Sequence, residues 1–220
     1  MPGKLPPTPL PTIPDAVDFQ HVYEPSDDTF LLVDALTAER ERLSQLRPGL
    51  CVEIGSGSGC VITHLASMLP HAMLLAGDIN RVAAAATLAT AAANTYHARV
   101  DAVQMDLLSA LRPGSIDVLI FNPPYVPTSD EELEEAERTT DISAAWAGGE
   151  RGRRVLDRLL PVLGRALSPT GVFYLLGVAE NDPEEIRTML LSQHQLEGYT
   201  VAERRAQNER LFVMRFQRAA

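Results

Sequence analysis

A chain of 220 residues, 45% apolar and with a formal net charge of −10, is the right size for one α/β domain and too short for a second full-sized substrate domain. No apolar run approaches the roughly 20 residues of a membrane span and the N-terminus lacks a signal pattern, so the sequence reads as a soluble intracellular protein without a membrane partner. The acidic balance repels a phosphate backbone, which disfavours direct nucleic-acid binding and suits a protein substrate.

Prolines at 2, 6, 7, 9, 11 and 14 are too dense for a regular element, so residues 1–22 read as an extended or disordered arm that could wrap a single domain over 23–220. From Ser26, Leu32, Leu36, Leu43 and Leu46 fall on one helical face, with Ser26 as cap and Pro48-Gly49 as stop. A short apolar strand, Leu50 to Ile54, meets the glycine run Gly55-Ser56-Gly57-Ser58-Gly59, and a helix follows to about Leu69. The second strand spans Ala72 to Gly77 and ends at Asp78, before an alanine-rich helix with the small surfaces that sit closely on a sheet. A third strand near Val100 to Gln104 leads to Asp106. The fourth, Ile116 to Phe121, is a continuous apolar run that reads as a central parallel strand.

Beyond it come an acidic loop, Ser129 to Asp141, and a helix with Val155, Leu159, Val162 and Ala166 in one stripe, which Pro161 should kink or divide. Gly171 to Val178 reads as a fifth strand and Asp182-Pro183-Glu184 as a helix start. Two closing strands, Gly198 to Glu203 and Leu211 to Phe216, form a hairpin through Gln207-Asn208-Glu209. The pattern predicts an α/β Rossmann-like fold: a mostly parallel seven-stranded sheet with helices on both faces and a C-terminal antiparallel hairpin. Cys51 and Cys60 have no second Cys or His at ligand spacing and read as buried reduced thiols, with no metal site implied.

The unusual residues sit at strand ends, where open α/β sheets bind ligands, so Glu53, Gly55, Asp78, Asp106 and Asn122 should converge. Gly55, Gly57 and Gly59 allow a tight turn and close backbone approach, but a dinucleotide fingerprint needs a third glycine where Cys60 stands. Asp78 can accept two ribose hydroxyls, and Asp106 with the backbone of Leu107 an adenine amino group; each could instead cap a helix. Acidic strand ends suit a ligand with a sulfonium, an ammonium, a ribose and an adenine, which is the pattern of S-adenosylmethionine. Asn122-Pro123-Pro124-Tyr125 follows the fourth strand. Its prolines remove two backbone donors, leaving the Asn122 side-chain oxygen and the Pro123 carbonyl to hold an NH2 group while Tyr125 flanks it.

With these residues in place, the chain resembles the HemK-type class I methyltransferases, most closely the eukaryotic branch that methylates the glutamine of Gly-Gly-Gln in the translation termination factor. The likeness runs through Tyr23-Glu24-Pro25-Ser26-Asp27-Asp28-Thr29-Phe30, the 53–59 loop, Gly77-Asp78-Ile79-Asn80, Asp106-Leu107, the 122–126 turn and Ala145-Trp146-Ala147-Gly148-Gly149. The resemblance implies S-adenosylmethionine contacts from Tyr23, Thr29, Glu53, Gly55, Gly57, Asp78, Asp106, Leu107 and Asn122, with Tyr23 and Pro25 closing over it. It implies that Asn122, Pro123, Pro124 and Tyr125 bind the substrate amide, and that Asn122, Pro123 and Tyr125 serve the transfer itself. It further implies a heterodimer with a small zinc-binding activator covering an apolar edge near the third strand, a cytoplasmic and also nuclear location, and protein lysine as a further acceptor. The chain departs from the family in its proline-rich arm and in the acidic stretch from Glu131 to Glu137. Two other readings stand beside it: N6-adenine methylation of nucleic acid, which uses a similar turn, and a catalytically silent binding module.

Overall fold

Apolar runs that end on glycine or a polar residue become the strands of one sheet. In the computed structural model, which describes residues 10–129, 131–132, 145–206 and 209–219, they are β1 (Leu50–Ile54), β2 (Met73–Asp78), β3 (Val100–Gln104), β4 (Ile116–Phe121), β5 (Leu167–Val178), β6 (Leu196–Ala206) and β7 (Glu209–Arg218). Their order is β3-β2-β1-β4-β5-β7-β6. The first five are parallel, and β7 runs antiparallel to both β5 and β6. The order reverses between β1 and β4, the place where such sheets bind ligands.

Alternate residues of the central strands feed two separate cores. Val118 and Ile120 of β4 join the helices α1 (Asp27–Ala38), α2 (Arg40–Leu46) and α3 (Cys60–Met68) on one face. Leu119 and Phe121 join α5 (Arg154–Ala166) and α6 (Pro183–His194) on the other. This two-sided burial is why β4 lacks the polar alternation of a half-exposed strand. The remaining helix, α4 (Arg81–Ala93), lies against β2 and β3.

Three expectations need correction, and for Pro161 one of two expected outcomes falls away. The helix expected from Ser26 to Leu46 is two helices joined at Glu39, whose carboxylate turns inward to the Tyr174 hydroxyl and the Arg215 guanidinium. Pro161 does not divide α5. It lies on the exposed side, as does Asp157 four residues earlier, so the carbonyl deprived of its helical partner meets water. The buried stripe of α5 is Leu156, Leu159, Leu160, Leu163 and Ala166, while Val162 faces solvent. The hairpin strands are longer than their apolar centres, because the edge pairs from Leu196↔Arg218 to Ala206↔Glu209 need only backbone hydrogen bonds.

The arm over residues 10–22 lies along α4. Thr12 and Asn94 exchange two hydrogen bonds, Asn80 Nδ2 donates to the His21 carbonyl, and Val17 and Val22 bury against Ala83 and Ala86. Residues 1–9, nearly all of the acidic loop and the hairpin turn at 207–208 lie outside the described residues.

Candidate active site

A cavity of about 480 Å³ opens over the carboxyl ends of β1, β2 and β4. It is lined by every residue expected to bind cofactor or substrate: Tyr23, Thr29, Glu53, Gly55, Gly57, Asp78, Asp106, Leu107, Asn122, Pro123, Pro124 and Tyr125. Pro25 does not line it. Its neighbour Tyr23 does, together with His21 and Val22 from the arm.

The loop after β1 reverses through three residues at positive φ, Gly55 (66°), Gly57 (51°) and Gly59 (77°), a region costly to any residue with a Cβ. At Gly59 a Cβ would also lie 2.6 Å from the Thr87 Cα, so this glycine lets α4 approach the loop. The Gly57 amide, freed from regular pairing, donates to Asp78 Oδ2 at 3.0 Å, and the Asn80 amide to Asp78 Oδ1 at 2.8 Å. Each Asp78 oxygen keeps a lone pair for a ligand hydroxyl. Glu53 is 2% exposed, and its Oε2 accepts from the Ile62 amide at 2.9 Å, satisfying one of the orphan donors in the first turn of α3.

Burial pushes the Glu53 carboxyl well above the usual carboxylate range, with the Ile62 amide opposing and the charge of Asp78 adding. Asp78 is raised by burial against the pull of the Gly57, Asn80 and Ile79 amides. A cation between them would restore both to the charged form. An ammonium and a sulfonium with a ribose diol therefore fit this donor set, whereas a pyrophosphate would add repulsion. Asp106 is engaged by the Arg158 guanidinium, which also lines the cavity, so an adenine amino group would share this carboxylate with a cation. Leu107 beside it holds φ at 50°.

At the other end, β4 delivers Asn122 to the rim. Asn122 Nδ2 donates to Asp28 Oδ2 at 2.9 Å, and its Oδ1 is buried without a hydrogen-bond partner. The Tyr125 hydroxyl approaches the same carboxylate oxygen at 3.4 Å. Burial and then the nearby Asp28 charge raise the Tyr23 and Tyr125 phenols far above their usual range, so both stay neutral. The turn is clamped from behind. Asn181 Nδ2 donates to the Tyr125 carbonyl at 2.9 Å and to the Arg151 carbonyl, and the Val126 amide bonds the Trp146 carbonyl at 3.0 Å. Gly148 and Gly152 admit this closeness: a Cβ would fall 2.7 Å from the Pro124 oxygen at one and 1.8 Å from the Tyr125 oxygen at the other.

Asp28, Asn181 and Arg158 were not singled out by sequence reasoning. Asp28 lies inside the 23–30 motif, one of two adjacent aspartates in the first turn after the Ser26 cap. The cysteines behave as expected: both are free and buried, and burial pushes both thiols up to about 12.

Residues 27–145 match the family model described as Methyltransferase small domain. The chain is 46% identical over 205 residues to the mouse protein named Methyltransferase HEMK2, covering 91% of this chain and 92% of that one. It is 39% identical over 219 residues to the fission-yeast eRF1 methyltransferase catalytic subunit mtq2, with 91% of each covered. Among solved structures it superposes with a TM-score of 0.64 and 27% identity on a chain of the E. cuniculi Mtq2-Trm112 complex described as responsible for methylation of the eRF1 translation termination factor, covering 90% of this chain and 99% of that one.

Proposed function

The chain belongs to the Methyltransferase small domain family and within it to the HEMK2 and Mtq2 group, and from that premise we propose that it methylates the side-chain amide of a glutamine in a translation termination factor. The methyl donor is S-adenosylmethionine, and the reaction makes the enzyme a protein-glutamine N5-methyltransferase.

Bound in the cavity, S-adenosylmethionine supplies an electrophilic methyl on a sulfonium sulfur. Glu53 and Asp78, which line the cavity beside the glycine loop, would hold its cationic amino-acid end and its ribose. The observation that carries the substrate reading is the buried, unpartnered Oδ1 of Asn122. An amide nitrogen is a poor nucleophile because its lone pair is delocalised. Accepting its two N–H groups, at Asn122 Oδ1 and the Pro123 carbonyl, aims the nitrogen and stabilises the positive charge that grows on it. A buried acceptor left unpaired is costly, so an N–H that reaches it is favoured. Tyr125 flanks the planar group, and orientation supplies much of the rate.

The partner we expect is a small activator subunit, and the finer reading is that this subunit carries zinc. What supports a partner at all is the open sheet edge at β3, with Met73, Ile79, Val82 and Leu88 on and beside the neighbouring β2 and α4 exposed. We expect the enzyme to act in the cytoplasm, where termination factors meet ribosomes, and also in the nucleus. The net charge of −10 disfavours the adenine alternative.

The test is methyl transfer from labelled S-adenosylmethionine to a termination-factor fragment carrying Gly-Gly-Gln, with the chain alone and with the activator. Label that vanishes when the glutamine becomes alanine, and that rises with the activator, supports the reading. Label that survives on lysine or goes to nucleic acid overturns the substrate.

A further inference from the structure

We propose that Asp28 sets which way the Asn122 side-chain amide faces, and so decides whether the active site offers an acceptor or a donor to the substrate nitrogen. The inference rests on the reading above, in which Asn122 holds an NH2 group.

Asp28 is a charged residue only 3% exposed, second in α1 and 94 positions from Asn122. Its Oδ1 accepts from the Thr29 amide at 2.6 Å and the Thr29 hydroxyl at 3.3 Å, so the carboxylate is fastened to the helix that carries it. Its Oδ2 faces the substrate turn and takes Asn122 Nδ2 and the Tyr125 hydroxyl. An amide can rotate to exchange its oxygen and its NH2, and geometry alone does not choose between them. A carboxylate does, because it offers acceptors only. The NH2 of Asn122 must turn toward Asp28, which leaves Oδ1 without a partner. The reverse orientation would put an NH2 opposite the substrate's NH2. Asp28 is thus a positioning residue that acts through Asn122, in addition to any part it takes in starting the helix.

Because the claim concerns donor direction, exchanging the two side chains tests it. In D28N the new amide keeps an oxygen for Thr29 and turns its NH2 to Asn122, whose oxygen must rotate away from the substrate to accept it. In N122D two carboxylates meet. In D28N/N122D the Asn at 28 donates to the Asp at 122, whose second oxygen is again an acceptor. With the chain co-expressed with its activator, we expect kcat to fall about 100-fold in D28N, with the KM for S-adenosylmethionine unchanged. We expect the double variant to recover at least about tenfold over either single variant.

Full activity in D28N, or a double variant no better than the worse single, overturns the proposal. A purely structural role would lower the melting temperature of D28N without rescue by N122D. Should D28N alone melt below the assay temperature, the double variant still decides: recovered turnover supports the inference and its absence overturns it. Glutamine methylation by the wild type tests the underlying reading separately. The ranking of the four proteins tests Asp28 on whichever NH2 group the wild type methylates.

Discussion

The two ends of the cavity are built from different materials. At the glycine-loop end, the ligand-facing carboxylates of Asp78 and Glu53 are held by backbone amides, those of Gly57, Asn80 and Ile62. At the Asn122 end, the ligand-facing atom is oriented by a chain of side chains in which Asp28 holds Asn122 and Tyr125. Only a proline removes a backbone amide, so under other substitutions the first end depends on the path of the loop and on its two carboxylates. The second end depends on every member of its chain, and one change propagates. Cofactor binding and methyl transfer should therefore fail separately.

The largest expected effect breaks the second end alone. Asn122→Ala should cut methyl transfer by a factor of about 100 to 1,000, the loss typical of removing one preorganised transition-state hydrogen-bonding group. Its affinity for S-adenosylmethionine by calorimetry should stay within about threefold of wild type. Loss of both together would dissolve the distinction. Next, Asp78→Ala should weaken S-adenosylmethionine binding by about 10- to 100-fold, since hydrogen bonds to a charged group are worth about 1.5–3 kcal/mol each. Turnover at saturating cofactor should change much less.

Gly59→Ala sharpens the claim that the first end depends on backbone path. A Cβ there meets the Thr87 Cα at positive φ, which should cost about 2 kcal/mol of stability, read as a lower urea midpoint. The last test lies outside the cavity and serves as a control, since it should leave both ends unchanged. His64 Nε2 contacts Thr37 Oγ1 at 2.9 Å. That hydroxyl donates to the Val33 carbonyl, so the ring must give the proton, leaving Nδ1 buried and bare. Burial lowers the His64 pKa to about 4, with the nearby charge of Asp34 opposing. The unfolded state then binds a proton below about pH 6.5 that the folded state refuses, so stability should fall as pH drops from about 6.5 toward 4. The His64 contribution to that loss is at most about 3 kcal/mol. In His64→Gln the slope over this window should be shallower in urea titrations, with cofactor affinity at neutral pH unmoved.

The strand ends were legible because each apolar run stops on a residue that no core would keep: Gly55, Asp78, Asp106 and Asn122. The open faces were harder. Val162 lies in an apolar stripe by spacing, yet the helix turns Leu156, Leu160 and Leu163 to the sheet instead. Spacing gives the period of a helix and leaves its phase to the neighbours it packs on. Pro161 leaves the helix continuous for a related reason, since the carbonyl it orphans lies on the exposed side and meets water. Asp28 was invisible as a site residue because its meaning lies in a contact 94 positions away. Nothing local distinguishes it from Asp27, which sits in the same first turn and is exposed.

The strap over residues 10–22 carries a consequence for traffic through the cavity. One wall, at His21 and Val22 and continuing to Tyr23, begins on a segment tied down by the Thr12–Asn94 and Asn80–His21 hydrogen bonds and a small cluster around Val17. Lifting it leaves all seven strands paired and costs a fraction of global unfolding. The wall at 21–23 should therefore open more readily than the sheet beneath it, read as faster amide hydrogen exchange there than in β1 and β4.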